Sequence, residues 1–61
     1  MRFEIFRDEQ KQYRWRLKAG NNKIIASSAE AYHNKADCQH GIELVQTKAA
    51  EAKIEEIPDE G

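Results

Sequence analysis

The sequence predicts an α+β fold, an antiparallel three-stranded meander with one helix packed on the sheet and a short C-terminal strand (β-β-β-α-β). Three observations carry this expectation. Apolar and polar residues alternate through the first segments, two polar turn-forming clusters interrupt the alternation, and beyond Asn34 the apolar period lengthens to that of a helix.

Arg2 to Arg7 places Phe3 and Ile5 on one side of an extended chain and Glu4 and Phe6 on the other. Gln12 to Lys18 is clearer: Tyr13, Trp15 and Leu17 alternate with Arg14, Arg16 and Lys18, so one face is aromatic and aliphatic and the other cationic. Asp8 to Lys11 lies between them, polar and short enough for a hairpin. Directly opposed side chains share a sheet face, so Phe3 and Ile5 join Trp15 and Leu17 only where paired positions sum to an even number, and 18 and 20 both satisfy this. Either register sets Glu4 opposite Arg14 or Arg16, an opposite-charge pair worth about 0.2–1 kcal/mol.

Gly20, Asn21, Asn22 and Lys23 tolerate positive φ and precede Ile24 to Ser27, which reads as a second hairpin. A two-residue loop at Asn21 and Asn22 puts Leu17 opposite Ala26, with Ile24 and Ala26 on the Trp15 face and Ile25 on the arginine face. The arginine face then holds Phe6 and Ile25 among its charges, two large hydrophobes that call for cover.

Asn34 is a suitable helix N-cap, and Asp37 favours the positive end of the helix dipole. Cys38, Ile42, Val45 and Ala49 form one narrow apolar stripe, while Gln39, His40, Glu43, Gln46 and Thr47 face solvent, with Glu43 placed to pair weakly with Thr47. Gly41 sits beside the stripe at a propensity cost of about 1 kcal/mol, which close approach to Trp15 or a neighbour would explain. Leu44 falls off the stripe and either widens the buried face or touches a partner. Lys53 to Ile57 is a plausible edge strand of poor period, ended by Pro58. Residues 1–57 are read as one domain and 58–61 as a frayed acidic tail.

The 61 residues include only twelve large hydrophobes apart from Met1 and the tyrosines. A chain of this size buries only about 60% of the surface its unfolded form exposes. There is neither a membrane-length apolar run nor a signal-peptide core, and the single cysteine, Cys38, fits a reducing, cytoplasmic setting. Charge is uneven: residues 1–23 hold seven basic and three acidic side chains, residues 24–61 three basic and eight acidic.

The segments WRLKAGN from Trp15, IIASS from Ile24, then Tyr32, Lys35, Cys38 and GIELV from Gly41 together resemble the YegP-like family of small uncharacterised bacterial proteins. The resemblance spans about residues 3–50 and departs at Asn21 and Asn22, where the family often has Asn-Gly. It implies a three-stranded meander, a helix and a further strand, with many members carrying two such units in tandem. It implies no catalytic or ligand-binding residue. A chain holding one unit is then expected to form a homodimer, with the terminal strand exchanged between subunits.

No chemistry-bearing constellation emerges. Of the metal-ligating types His33, Asp37, Cys38 and His40, the pair Cys38 and His40 stand about 200 degrees apart around a helix. Ser27 and Ser28 lack a nucleophile-elbow context, the glycines at 20, 41 and 61 form no phosphate loop, and Glu55 and Glu56 read as a solvated edge. The sequence therefore predicts a non-enzyme with no cofactor and no metal. Its expected interaction surface is Arg14, Arg16 and Lys18 with Phe6, Ile25 and Leu44, meeting a second copy, whose Glu51, Glu55 and Glu56 supply acid, or another protein. The alternative is nucleic acid or another anion on the same cationic strip, against which stand Glu4 in that face and a sequence pI near 6.1.

Overall fold

The computed structural model describes residues 1–59. Three strands, β1 (Arg2–Arg7), β2 (Tyr13–Lys18) and β3 (Ile24–Ser27), form one antiparallel sheet in chain order, followed by the helix α1 (Lys35–Lys48) and a 3-10 turn over Ala49–Glu51. β1 and β2 adopt the register that sums to 20, with Phe3 opposite Leu17, Glu4 opposite Arg16 and Ile5 opposite Trp15. Alternation does what it promised here, because a slip by one residue would move Trp15 to the charged face.

Both hairpins use the same three-residue loop, a turn closed by one residue with positive φ. In the first, the Lys11 N–H donates to the Asp8 carbonyl (2.9 Å), the Asp8 N–H donates to the Gln12 carbonyl (2.9 Å), and Lys11 has φ 66°. In the second, Asn22 donates to Ala19 (3.0 Å), Ala19 donates to Lys23 (2.8 Å), and Asn22 has φ 66°. The second loop is therefore Gly20–Asn22, not the two residues expected.

A register shift follows in β3. Leu17 stands opposite Ala26 as expected, but Lys18 pairs with Ile24, so Ile25 is the extra residue of a bulge. Ile24, rather than Ile25, thus pairs across to the charged face. The first strand residues of β3 are half exposed, Ile24 at 57% on the face away from α1 and Ile25 at 54% in the bulge.

Beyond β3 the chain stays beside β2. The Ser28 N–H donates to the Trp15 carbonyl (2.9 Å), and the buried Ser28 hydroxyl accepts the Trp15 N–H (3.1 Å) in place of a ladder carbonyl. Tyr13 and Tyr32 exchange two main-chain hydrogen bonds of 2.8 Å. This seam sets the point from which α1 crosses the sheet.

Asn34 is the extended N-cap, yet its side chain donates to Asp37 (3.3 Å) instead of accepting a helix N–H. Cys38 is fully buried, and with Trp15 and Ile42 it makes the core, flanked by Phe3, Ile5, Tyr13, Leu17, Tyr32 and Val45. Phe3 meets Trp15 edge to face, ring centroids 5.5 Å apart. The Gly41 expectation holds: a Cβ there would lie 2.8 Å from the Tyr32 hydroxyl and 3.5 Å from Trp15 Nε1. That indole N–H is buried and has no acceptor among the described residues. Ala49, the last stripe position, falls in the exposed 3-10 turn, and the Thr47 hydroxyl donates to the Glu43 carbonyl (2.8 Å) rather than meeting its carboxylate.

The short C-terminal strand does not form: among the described residues, 52–59 have no regular structure. Ile54 and Ile57 are three apart, so an extended chain points them to opposite faces, and within one copy neither face of such a strand buries both. Pro58 and Asp59 are exposed, and the remainder of the expected acidic tail, residues 60–61, lies outside the described residues.

Candidate functional site

Alternate residues of β1 and β2 point away from α1 and build the open face of the sheet, which carries Arg2, Glu4, Phe6, Arg14, Arg16 and Lys18. Glu4 stands at its centre. Its carboxylate accepts from Arg16 Nε (2.8 Å) and Arg2 Nε (3.0 Å), with Lys18 Nζ at 3.6 Å. The hydrogen bonds from Arg16 and Arg2 hold the Glu4 pKa down at about 2. Arg2 is committed a second time, donating from Nη2 to the Asn22 side chain (3.0 Å) and tying β1 to the second loop.

Asp8 organises the other end. One carboxylate oxygen accepts the Gln10 and Gln12 N–H groups (2.9 and 3.0 Å), which shapes the first loop, and the other accepts Arg14 Nε (2.8 Å). The Arg14 contact, supported by those amides, lowers the Asp8 pKa. Arg16 also stacks on Phe6, guanidinium carbon 4.8 Å from the ring centroid, which gives Phe6 part of the cover the sequence called for.

Both arginines are thus held through Nε. Among the described residues, neither Arg14 nor Arg16 donates a hydrogen bond from its Nη atoms. Of the predicted surface, Arg14, Arg16, Lys18 and Phe6 come together. Leu44, half exposed on α1, stands apart from them, and Ile25 is exposed in the β3 bulge. Sequence reading missed Asp8, Ser28 and Tyr32. The Asp8-x-Gln10-x-Gln12 spacing of a side chain able to accept amides ahead was the available signal for the first.

The other candidates do not assemble. Cys38 is sealed in the core, where burial pushes its thiol pKa up. His33, Asp37 and His40 line a shallow recess with Glu30 and Tyr32, but no three His, Cys, Asp or Glu side chains among the described residues are placed to hold a metal ion. No helix among them is long and apolar enough to cross a membrane.

Residues 8–56 match the family described as "Domain of unknown function (DUF1508)". The chain is 44% identical over 57 residues to a UPF0339 protein of Neisseria meningitidis serogroup B, covering 93% of this chain and all of that one. It is 46% identical over 56 residues to a UPF0339 protein of Treponema denticola, covering 92% and 95% of the two chains. A longer UPF0339 protein of Stutzerimonas stutzeri is 43% identical over 47 residues, which are 77% of this chain and 41% of its own length. The solution structure of a protein from Haloferax volcanii superposes with a TM-score of 0.86 at 41% identity, covering 92% of this chain and 93% of that one. The chain belongs to the DUF1508/UPF0339 family of small uncharacterised proteins, consistent with the YegP-like resemblance.

Proposed function

We propose that this is a small cytoplasmic protein-interaction module without catalytic activity, working as a homodimer in which the C-terminal segment of each copy packs on the other. One observation carries the reading. Ile54 is fully exposed and Ile57 73% exposed on a segment that a single copy leaves without regular structure, while Ile24, Ile25 and Leu44 stand half bare elsewhere.

Magnitudes say what the dimer must use. Burying an isoleucine side chain contributes about 1.5–3 kcal/mol, so the two tail isoleucines of two copies supply roughly 6–12 kcal/mol. Association itself costs about 4–15 kcal/mol. The tails alone only match that cost, so a stable dimer also draws on Ile24, Ile25 or Leu44. The Stutzerimonas stutzeri relative, of which this chain spans less than half, leaves length for a second unit and supports the pairing by analogy.

A half-labelled mixture tests this by isotope-filtered NMR. Contacts from the Ile54 and Ile57 methyls of one copy to Ile24, Ile25 or Leu44 of another are expected. A folded protein showing no intermolecular contact refutes the exchange. Nucleic acid on Arg14, Arg16 and Lys18 is the second reading, favoured by the free guanidinium edges and opposed by the two carboxylates that share the face.

A further inference from the structure

We infer that the open face of the sheet is a docking surface for an extended acidic segment of a partner protein, read by the free guanidinium edges of Arg14 and Arg16. This rests on the reading of the protein as an interaction module, and it does not require the dimer.

The two arginines are not a loose positive patch. Asp8 and Glu4 grip them at Nε, each at 2.8 Å, and Phe6 supports the Arg16 plane from one side. The guanidiniums are therefore ordered before a ligand arrives, which lowers the entropy lost on forming each new hydrogen bond. Among the described residues, what remains unpaired on each is the planar Nη edge, whose donors suit a carboxylate. Glu4 and Asp8 act here as positioning residues.

Spacing and charge select the occupant. Arg14 and Arg16 are two residues apart on one strand, a repeat of about 6.6–7 Å. Carboxylates on alternate residues of another extended chain repeat at the same distance, so two can meet both arginines without distortion. The face holds four cations, Arg2, Arg14, Arg16 and Lys18, against Glu4 and Asp8. The surplus of two positive charges matches two carboxylates. A nucleic acid strand would meet Glu4 and Asp8 along its phosphates, and its bases would find one face of Phe6 already taken by Arg16.

The test uses the full chain and three probes: a peptide alternating glutamate with threonine, a peptide of the same composition with its glutamates adjacent, and an oligothymidylate. The readout is the NMR shift of the Arg14 and Arg16 Nε–H signals. The alternating peptide is expected to shift both, to bind several-fold more tightly than the adjacent one, and to lose about tenfold in affinity in Arg16→Lys, which keeps the charge and removes the planar edge. Glu4→Gln, which keeps an acceptor for Arg16 Nε, and Glu4→Ala, which removes it, carry the same charge; both should leave the sheet folded, and the Ala variant should bind the peptide more weakly than the Gln variant because Arg16 is no longer held. No shift with the alternating peptide overturns the inference, as does equal binding of the two peptides or preference for the oligothymidylate. Sedimentation of the same sample keeps the two proposals apart: a monomer that binds the peptide retains this inference and refutes the dimer, and a dimer that ignores it does the reverse.

Discussion

The face of the sheet under α1 and the face opposite it are written by alternate residues of the same two strands, and they are held by different physics. Under the helix, Trp15, Cys38 and Ile42 exclude water, and Gly41 lets the helix backbone come down beside Tyr32. On the open side, cohesion comes from Glu4 and Asp8 binding three arginines at partly exposed positions. Burial is roughly proportional to area and is not screened by salt, whereas exposed ion pairs contribute little each and are screened. The covered face therefore sets whether the chain folds, and the open face contributes little to that.

Substitutions should separate the two in magnitude. Trp15→Ala, at the centre of the covered face, is expected to cost about 3–5 kcal/mol, enough to leave a chain this small largely unfolded in urea titration. If it were no worse than an open-face change such as Arg14→Gln, the contrast would collapse.

Gly41→Ala comes next. Alanine gains about 1 kcal/mol in helix propensity, but its Cβ meets the Tyr32 hydroxyl, and overpacking of this kind costs about 1–3 kcal/mol. Net destabilisation is expected, and Tyr32→Phe should recover it by removing the oxygen at 2.8 Å. Additive effects in that double-mutant cycle would deny the contact.

The smallest effect belongs to the open face and to acid. Glu4 has its pKa lowered from 4.5 to about 2 in the folded protein, so the unfolded chain binds the proton first as pH falls. The stabilisation from its arginine pairs is present above pH 4.5 and is lost on descent toward pH 2. Thermal melts should decline through that window, and Glu4→Gln should flatten the decline, leaving the contribution of Asp8, whose pKa Arg14 also lowers. An unchanged slope in Glu4→Gln would remove Glu4 from the account.

Parity made the first hairpin legible, because the side-chain period of a strand leaves Phe3, Ile5, Trp15 and Leu17 one shared face. The Glu4 to Arg16 pair and the tight seat of Gly41 were legible for the same local reason. The loops were harder. Lys11 at φ 66° gives no compositional warning, since it is the Asp8 side chain, accepting amides ahead of it, that shapes the turn around it. The β3 bulge followed from the three-residue loop and put Ile24, rather than Ile25, opposite Lys18. The terminal strand is not seen in a single copy: Ile54 and Ile57 look like strand hydrophobes, but their spacing of three denies them a common face there. On the open face the charges could be read, but not that Asp8 and Glu4 would take the Nε of two arginines and leave their Nη atoms without a partner among the described residues.

Equilibrium sedimentation of the full chain beside a version ending at Ala52 tests the central claim most directly. The full chain should sediment at twice 7.1 kDa at micromolar concentration, and the shortened one, which keeps the whole covered face, should remain folded by circular dichroism and sediment as a monomer. A full chain that stays folded at 7.1 kDa would contradict it.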